Sequence, residues 1–422
     1  MDGWTAREAN QLRELLGLKP EGFAHRLRIH QRTVIRWRDG ETGPAAALWK
    51  DLDNLLIEAA RKLAPWLNID QLGKMNRRDI LKLLAASTGI PLAGVDLLWN
   101  VLLTEVSNTS LCSFEDITAV LGSQYNASPS HVLLGSVTGH LEKASGLLRT
   151  AAMRPVQRQR LESTVADAAI FVGVLSMQTG KLAQADAHFE LAEKMARQAS
   201  NMSLLAQVLA EQALLDYYEQ SPAKADDDPR PRIDLLEESH ALAKRHAPPM
   251  VQFAISGWLA EDRAAAGDGS GAEEALEWSR AALEKGTREG ASEAGFCSSM
   301  CLNGGWGQGR LERFRGSVAV ALNPACALGT IEASLRLTTD PRGRAAGLVW
   351  LAKALIACTR PQEACDCLAE AYAIGMSFSS VATLHLVFGA RVLMPTEWNR
   401  FKCVQRLDEQ LGGGKRLSNP RA

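Results

Sequence analysis

Strands are the first thing this chain of 422 residues lacks. No stretch alternates apolar and polar residues between hairpin turns, so sheet content close to none is expected. Cysteine is scarce: eight in the whole chain are too dilute for a disulfide framework. Charge of one sign is missing too. A formal net charge of −1 rules out a polycation that would coat nucleic acid over its whole surface. The apolar run that opens in the connecting segment is too broken to cross a bilayer, which takes about twenty residues. The nearest candidate follows Asn76, Arg77 and Arg78, but Asp79, Lys82, Pro91 and Asp96 interrupt it. The twin arginines mimic an export signal, yet they lie far inside the chain. Asn76 with Asp79 reads instead as a helix start, and Gly89 with Pro91 as its end. Met1–Asn10 is polar and has no signal-peptide pattern, so a cytoplasmic, reducing location and no membrane partner are expected.

Catalytic and metal-binding patterns are also missing. Cys297 and Cys301 would share a helix face, while Cys365 and Cys367 would not, and no Cys-x-x-Cys pair occurs. His240 and His246 are six apart, the wrong spacing for two ligands on one helix, and both are expected at the surface near a helix end. Gly304, Gly305, Gly307 and Gly309 form a glycine-rich stretch without a preceding strand, which fits a loop better than a phosphate cradle. No catalytic residue, cofactor or metal is assigned, and enzymatic activity is not expected.

What is present concentrates in Pro20–Gly40. Phe23, Ala24 and Leu27 fall at helical spacing before a tight turn, and Val34 and Trp37 fall at helical spacing after it. With Ile29 between them they can close one small core, and Ala24 leaves room for a second helix to cross closely. Gln31, Arg32, Thr33 and Arg36 then lie on the outer face of the second helix. Guanidiniums, an amide and a hydroxyl match the hydrogen-bonding edges of bases in the major groove. Lys19–Arg38 carries six basic residues against one acid, Glu21, so it sums to +5 while the rest of the chain sums to −6. A basic patch on an acidic body suits phosphate contact through one module.

These residues resemble the helix-turn-helix of the phage lambda repressor/Cro-like (XRE) family over roughly Thr5–Ala60. Phe23, Leu27, Ile29, Val34 and Trp37 fill the family's apolar positions, Ala24 its small position, and Trp37 to Gly40 its Trp-x-x-Gly ending. The departure is Arg28, where the family most often has a turn glycine. The resemblance implies five short helices, with Gln31, Arg32 and Arg36 at base-reading positions. Thr33 and His30 come next, to bases or phosphate, and Arg38 and Lys19 are phosphate candidates. Around the motif, Thr5 with Glu8 reads as a capping box opening the first helix, and Ala45–Leu63 as one or two closing helices.

From about His131 to Leu411 the chain reads as helical pairs. Ala166–Ser200 is the clearest unit: Gly173, Ala185, Phe189 and Ala192 occupy the small and aromatic anchor positions, with Gly180 at the turn. It resembles the tetratricopeptide repeat, a helical pair of about 34 residues. The same spacing recurs at Ala275, Ser279 and Ala282, and at Ala364, Leu368 and Ala371. Loops of unequal length must separate the copies, and Pro222–Pro231 and Gly267–Gly271 are two such insertions. An ordinary helical bundle is the alternative. Tyr217, Tyr218, Trp258, Trp278, Trp306 and Trp350 could line a ligand groove, although each alone is more often core.

The expectation is an all-α protein. Residues 1–64 form a five-helix DNA-binding domain, 65–130 a connecting helical segment, 131–411 a tetratricopeptide-like solenoid and 412–422 a disordered tail. The resemblance is to repeat-containing XRE-type regulators of actinobacteria. It implies double-stranded DNA as partner, a homodimer on a two-fold operator, and a peptide, protein or small-molecule effector on the repeats. A protein–protein adaptor whose helix-turn-helix reads nothing is the competing reading.

Overall fold

Thr5 opens the first helix as its capping residue. Its hydroxyl accepts from the Glu8 amide at 3.2 Å, and the Glu8 carboxylate accepts from the Thr5 amide at 2.8 Å. Two of the amides that a helix start leaves orphaned are thereby satisfied, as the sequence predicts. The computed structural model describes residues 4–63, 81, 108–125, 128–219, 229–289 and 307–412. The expected helix after Asn76, the Cys297/Cys301 pair, Trp306, the aspartates of the Pro222–Pro231 insertion and the tail beyond Gly412 lie outside the described residues. The described residues are all α, with no strand among them. They divide into two compact units, 1–128 with 132–168, and 129–131 with 169–422.

In the first unit α1 (Ala6–Leu15), α2 (Pro20–Leu27) and α3 (Gln31–Arg38) follow one another across tight turns, and α4 (Trp49–Leu63) closes the group. The expected fifth helix is one 3-10 turn, Ala46–Leu48, ahead of α4. Leu12, Leu15, Phe23, Ala24, Leu27, Val34, Trp37, Leu52 and Leu56 are all buried, so the apolar set read from periodicity is the core. Trp4 is buried as well, and its indole N–H donates to Asp53 of α4 at 2.8 Å.

α1, α2 and α3 end alike. The first or second residue after each helix takes a positive φ: Gly17 at 65°, Arg28 at 53° and Gly40 at 77°. In each case the next amide reaches back to a carbonyl five residues earlier: Leu18 to Arg13, Ile29 to Ala24 and Glu41 to Arg36. This is the Schellman closure, which normally takes glycine because a Cβ clashes in the left-handed region. Arg28 therefore carries a cost of about 1–2 kcal/mol. Arg28→Gly is expected to raise stability toward urea by about 1 kcal/mol. A neutral or negative change in the denaturation midpoint would mean the arginine stem offsets the strain.

The same unit continues through α5 (Asn108–Ser123), α6 (Ser130–Thr150) and the first half of α7 (Pro155–Gln178). Arg160 of α7 grips Glu115 of α5 through two bonds at 2.7 and 3.0 Å. His140 of α6 meets Thr118 of α5 at 2.9 Å. α7 is long and apolar enough to cross a membrane by composition, with 89% of that window buried inside the structure.

The second unit is a run of helical pairs: the end of α7 with α8 (Leu182–Gln198), α9 (Met202–Glu219) with α10 (Arg230–His246), and α11 (Pro249–Ala265) with α12 (Gly269–Glu289). It continues with α13 (Gln308–Leu322) and α14 (Pro324–Leu337), α15 (Pro341–Ala357) and α16 (Pro361–Ser377), then α17 (Val381–Val392) and the short α18 (Lys402–Gln410). Gly267–Gly271 is not an insertion. Asp268 accepts from the Gly271 amide at 2.9 Å, and Gly269 already begins α12.

Small residues set how closely the pairs cross. A Cβ at Gly173 would lie 2.4 Å from the Phe189 ring, so Phe189 packs directly on the backbone of α7. Second helices share a register in which a small position, a large one and a small one recur at i, i+4 and i+7. They read Ala185-Phe189-Ala192, Ala327-Ile331-Ser334 and Ala364-Leu368-Ala371, all buried. α10 follows with Arg232-Leu236-Ser239, an arginine in the first small position. In α12 the matching set is Ala272-Leu276-Ser279, three residues earlier than the Ala275-Ser279-Ala282 read from the sequence, so Ser279 holds the last position. Ser239, Ser279 and Ser334 each donate to a carbonyl of the preceding helix, Ala206, Phe253 and Gly309, at 2.6, 2.9 and 2.6 Å. The first helices α9, α11, α13, α15 and α17 also pack on one another in sequence, forming a layer of their own.

Candidate nucleic-acid interface and effector face

α3 turns one side inward and one outward. Val34 and Trp37 are buried, whereas Arg32, Arg36 and Arg38 are exposed and Gln31 and Thr33 are half-buried. His30 caps the helix: its Nδ1 accepts from the Arg32 amide at 3.2 Å. Lys19 is exposed and stands one residue before Pro20, the first residue of α2. All seven residues singled out in the sequence thus lie on or beside α2 and α3, with none turned into the core.

Acidic neighbours hold several of them. The Gln31 amide donates to Glu21 at 3.0 Å, and the Arg36 guanidinium to Glu41 at 3.1 Å. Arg38 makes two bonds to Asp39, at 2.8 and 3.2 Å, which hold the Asp39 carboxyl below its ordinary range. Among the described residues Arg32 has no side-chain partner. Exposed pairs of this kind are weak and are screened by salt, so a phosphate backbone can displace them. Glu21, Asp39 and Glu41 went unremarked as partners in the sequence because each sits at a helix start or in the turn after Trp37. Arg26, also exposed, bonds to Glu58 of α4 at 2.5 Å. Asp39→Asn is expected to free Arg38 and strengthen binding to scrambled duplex DNA several-fold. The slope of log affinity against log salt should steepen by about one charge. An unchanged slope would show Arg38 facing away from phosphate.

The layer of first helices in the second unit carries another set of polar groups. Gln207, Glu211 and Tyr218 share one face of α9, at i, i+4 and i+11. The Tyr217 and Tyr218 rings meet His385 of α17 edge-on, at 5.9 and 5.5 Å between centroids. Side chains 167 and 168 positions apart in the chain thereby meet. Ser380 bonds to Gln178 at 2.5 Å, and Arg342 to Ser130 at 3.0 Å. Arg232 is buried on Asp262 of α11 at 3.2 Å, and Arg313 of α13 on Glu261 at 2.5 Å, with Ser317 on the same carboxylate.

Lys353 of α15 has no ion pair among the described residues. Its ammonium lies 4.2 Å from the Trp350 ring centroid. Burial pushes it down to about 8, partly opposed by Glu261. Glu211, 5% exposed and without a hydrogen-bond partner among the described residues, is pushed up to about 8 by burial. Of the aromatics noted in the sequence, Tyr217, Tyr218, Trp258 and Trp350 lie on first helices. Trp278 lies on α12 instead, against Lys244 at 3.6 Å and His240 at 6.2 Å. His240 is accordingly part-buried and pushed down to about 4, not a surface residue as its spacing suggests. Among the described residues no three His, Cys, Asp or Glu side chains converge as metal ligands.

No protein-family model matches the chain. No curated protein matches it either. Among solved structures it is similar to the Rap conjugation gene regulator of the plasmid pLS20 in complex with the Phr* peptide, at 11% identity and a TM-score of 0.38. The match covers 89% of this chain and 97% of that one. At that score the likeness says nothing about ligand or partner.

Proposed function

We propose that this chain is a bacterial, cytoplasmic transcription regulator of the XRE helix-turn-helix type. Residues 1–64 read double-stranded DNA as one half of a homodimer, and the repeats over 131–411 bind an effector, a peptide, a protein or a small molecule. α3 enters the major groove, with Gln31, Arg32 and Arg36 toward bases, Thr33 and His30 to bases or phosphate, and Arg38 and Lys19 on phosphate. Two-fold half-sites one helical turn apart would set the recognition helices about 34 Å apart. No metal, cofactor or catalytic residue enters this reading.

The observation that carries it is the division of α3. Its inner side is fixed by Val34 and Trp37, and its outer side presents Arg32 without a partner among the described residues. The test starts by selecting bound duplexes from genomic fragments with the full chain. Arg32→Ala should then cost about 1–3 kcal/mol on the selected operator and relax specificity at one base pair. Equal losses on operator and scrambled duplex would make Arg32 a phosphate contact, and no loss on either would remove it from the interface.

The carboxylates on Gln31, Arg36 and Arg38 favour a second reading, a protein–protein adaptor whose helix-turn-helix is a structural support. Retention of the full chain on heparin and on nonspecific duplex at low salt separates the two. An adaptor would pass through both.

A further inference from the structure

Two ionisable side chains in the layer of first helices, Glu211 and Lys353, make no ion pair or hydrogen bond among the described residues, although Glu261 attracts Lys353 from a distance. Glu211 is nine-tenths buried and accepts no hydrogen bond among the described residues. Its two flanks on α9 are accounted for. Ala206, Ala210 and Ala213 pack toward α10, and Gln212 bonds to Glu193 of α8 at 3.3 Å. The remaining face, Gln207-Glu211-Tyr218, is the one that leads to His385.

Lys353 is the complement. It stands on α15, which packs beside α17, and its charge is felt at His385. Its side chain keeps partial solvent contact although burial weakens its proton affinity. Two strongly buried arginines of the second unit are matched, Arg232 of α10 by Asp262 and Arg313 of α13 by Glu261. A buried carboxyl and a part-buried ammonium, neither in an ion pair or hydrogen bond among the described residues, are costly unless something brings closer partners.

We propose that this layer is the binding site for a ligand carrying both a protonated amine and a carboxylate, with Glu211 receiving the amine and Lys353 the carboxylate. The Tyr217–Tyr218–His385 cluster and the Trp350 ring form aromatic walls between and beside the two ends. The inference rests on reading the repeats as the effector-binding part and specifies the chemistry the effector must have. Free amino acids and short peptides with free termini both supply that chemistry.

The probe is an equimolar library of pentapeptides built from Ala, Val, Leu and Phe, so that only the termini are charged. It is run beside the same library N-acetylated, the same library C-amidated, and a mixture of the four free amino acids. The full chain is incubated with each and freed of unbound material by size exclusion, and the retained ligand is identified by mass spectrometry. Free-termini peptides should be retained, with each capped library retained about tenfold less, as expected for losing one buried ion pair of ordinary strength. Glu211→Gln should abolish the penalty for N-acetylation alone, and Lys353→Met the penalty for C-amidation alone. These paired selectivities also separate a lost contact from a misfolded variant.

Retention of the amino acids in place of the peptides supports the site and makes amino acids the source. Retention of capped and free libraries alike, or of none, overturns it. The effector reading is tested apart, by operator binding with and without the retained ligand. A ligand that binds through Glu211 and Lys353 but leaves DNA binding unchanged sinks the effector role and keeps the site. A capped peptide that shifts DNA binding as well as a free one does the reverse.

Discussion

Gly257→Val is expected to destabilise the second unit by about 3 kcal/mol or more, at the upper end of overpacking effects. A Cβ at Gly257 of α11 would lie 2.2 Å from the Phe314 ring of α13. The ring has little room to withdraw. Phe314 is fully buried, its centroid is 5.7 Å from that of Phe253, and the Arg313 guanidinium lies 4.3 Å from it. Gly257→Ala is the milder form, because alanine recovers about 1 kcal/mol of helix propensity against the clash. Combining Gly257→Val with Phe314→Leu separates clash from propensity. Leucine vacates part of the space, so the double variant should be more stable than the sum of the two single losses predicts. Additive losses in urea denaturation would show that the ring is not what meets the new side chain.

That contact also shows what the sequence could and could not carry. The glycine–aromatic pair at Gly173 and Phe189 was legible because both residues belong to one helical pair and fit the repeat spacing. Gly257 and Phe314 do the same work between first helices of consecutive pairs, and no local period connects them. Two copies of the second-helix register escaped notice for a related reason. α10 has Arg232 at a small position, an arginine tolerated there because Asp262 of α11 neutralises it. α14 ends its set in Ser334, whose hydroxyl is satisfied by a carbonyl of α13. Each substitution is polar in the sequence and buried in the fold, and only the partner explains it.

The helix-turn-helix was far more legible, since its capping box, its core and the departure at Arg28 all act within a few residues. What did not follow there was the pairing of Gln31, Arg36 and Arg38 with carboxylates, which depends on where the flanking turns place Glu21, Asp39 and Glu41. The Glu211–Lys353 layer was the least legible. It exists only because Tyr217 and Tyr218 meet His385 across most of the repeat region.

Asp167→Asn and His140→Gln are expected to change the pH dependence of stability in opposite directions. Both parent residues are buried in the first unit. Burial pushes the Asp167 carboxyl from 3.8 up to about 7, and its Oδ1 has no hydrogen-bond partner among the described residues. Between those values the folded chain keeps a proton that the unfolded chain has released. Its contribution is therefore complete below about 4 and is lost as pH rises toward 7.

Burial, with a smaller push from Lys143, takes the His140 imidazole from 6.5 down to about 3. Thr118 donates to the Phe114 carbonyl at 3.0 Å, so its oxygen accepts the Nε2 proton of a neutral His140. Here the unfolded chain takes up a proton that the folded chain refuses, and stability is lost as pH falls below 6.5. From about pH 4 to 6.5 the two slopes oppose and largely cancel, so the parent hides both. The stability of Asp167→Asn relative to the parent should therefore rise between pH 4 and 7. The ceiling is about 4 kcal/mol, at 1.36 kcal/mol per unit. That of His140→Gln, which keeps a donor for Thr118, should rise as pH falls from 6.5. Urea denaturation of the full chain at half-unit steps measures both differences, and other groups, Glu211 among them, drop out of each comparison. A flat difference for Asp167→Asn would mean that its carboxylate is charged and hydrated in the folded protein.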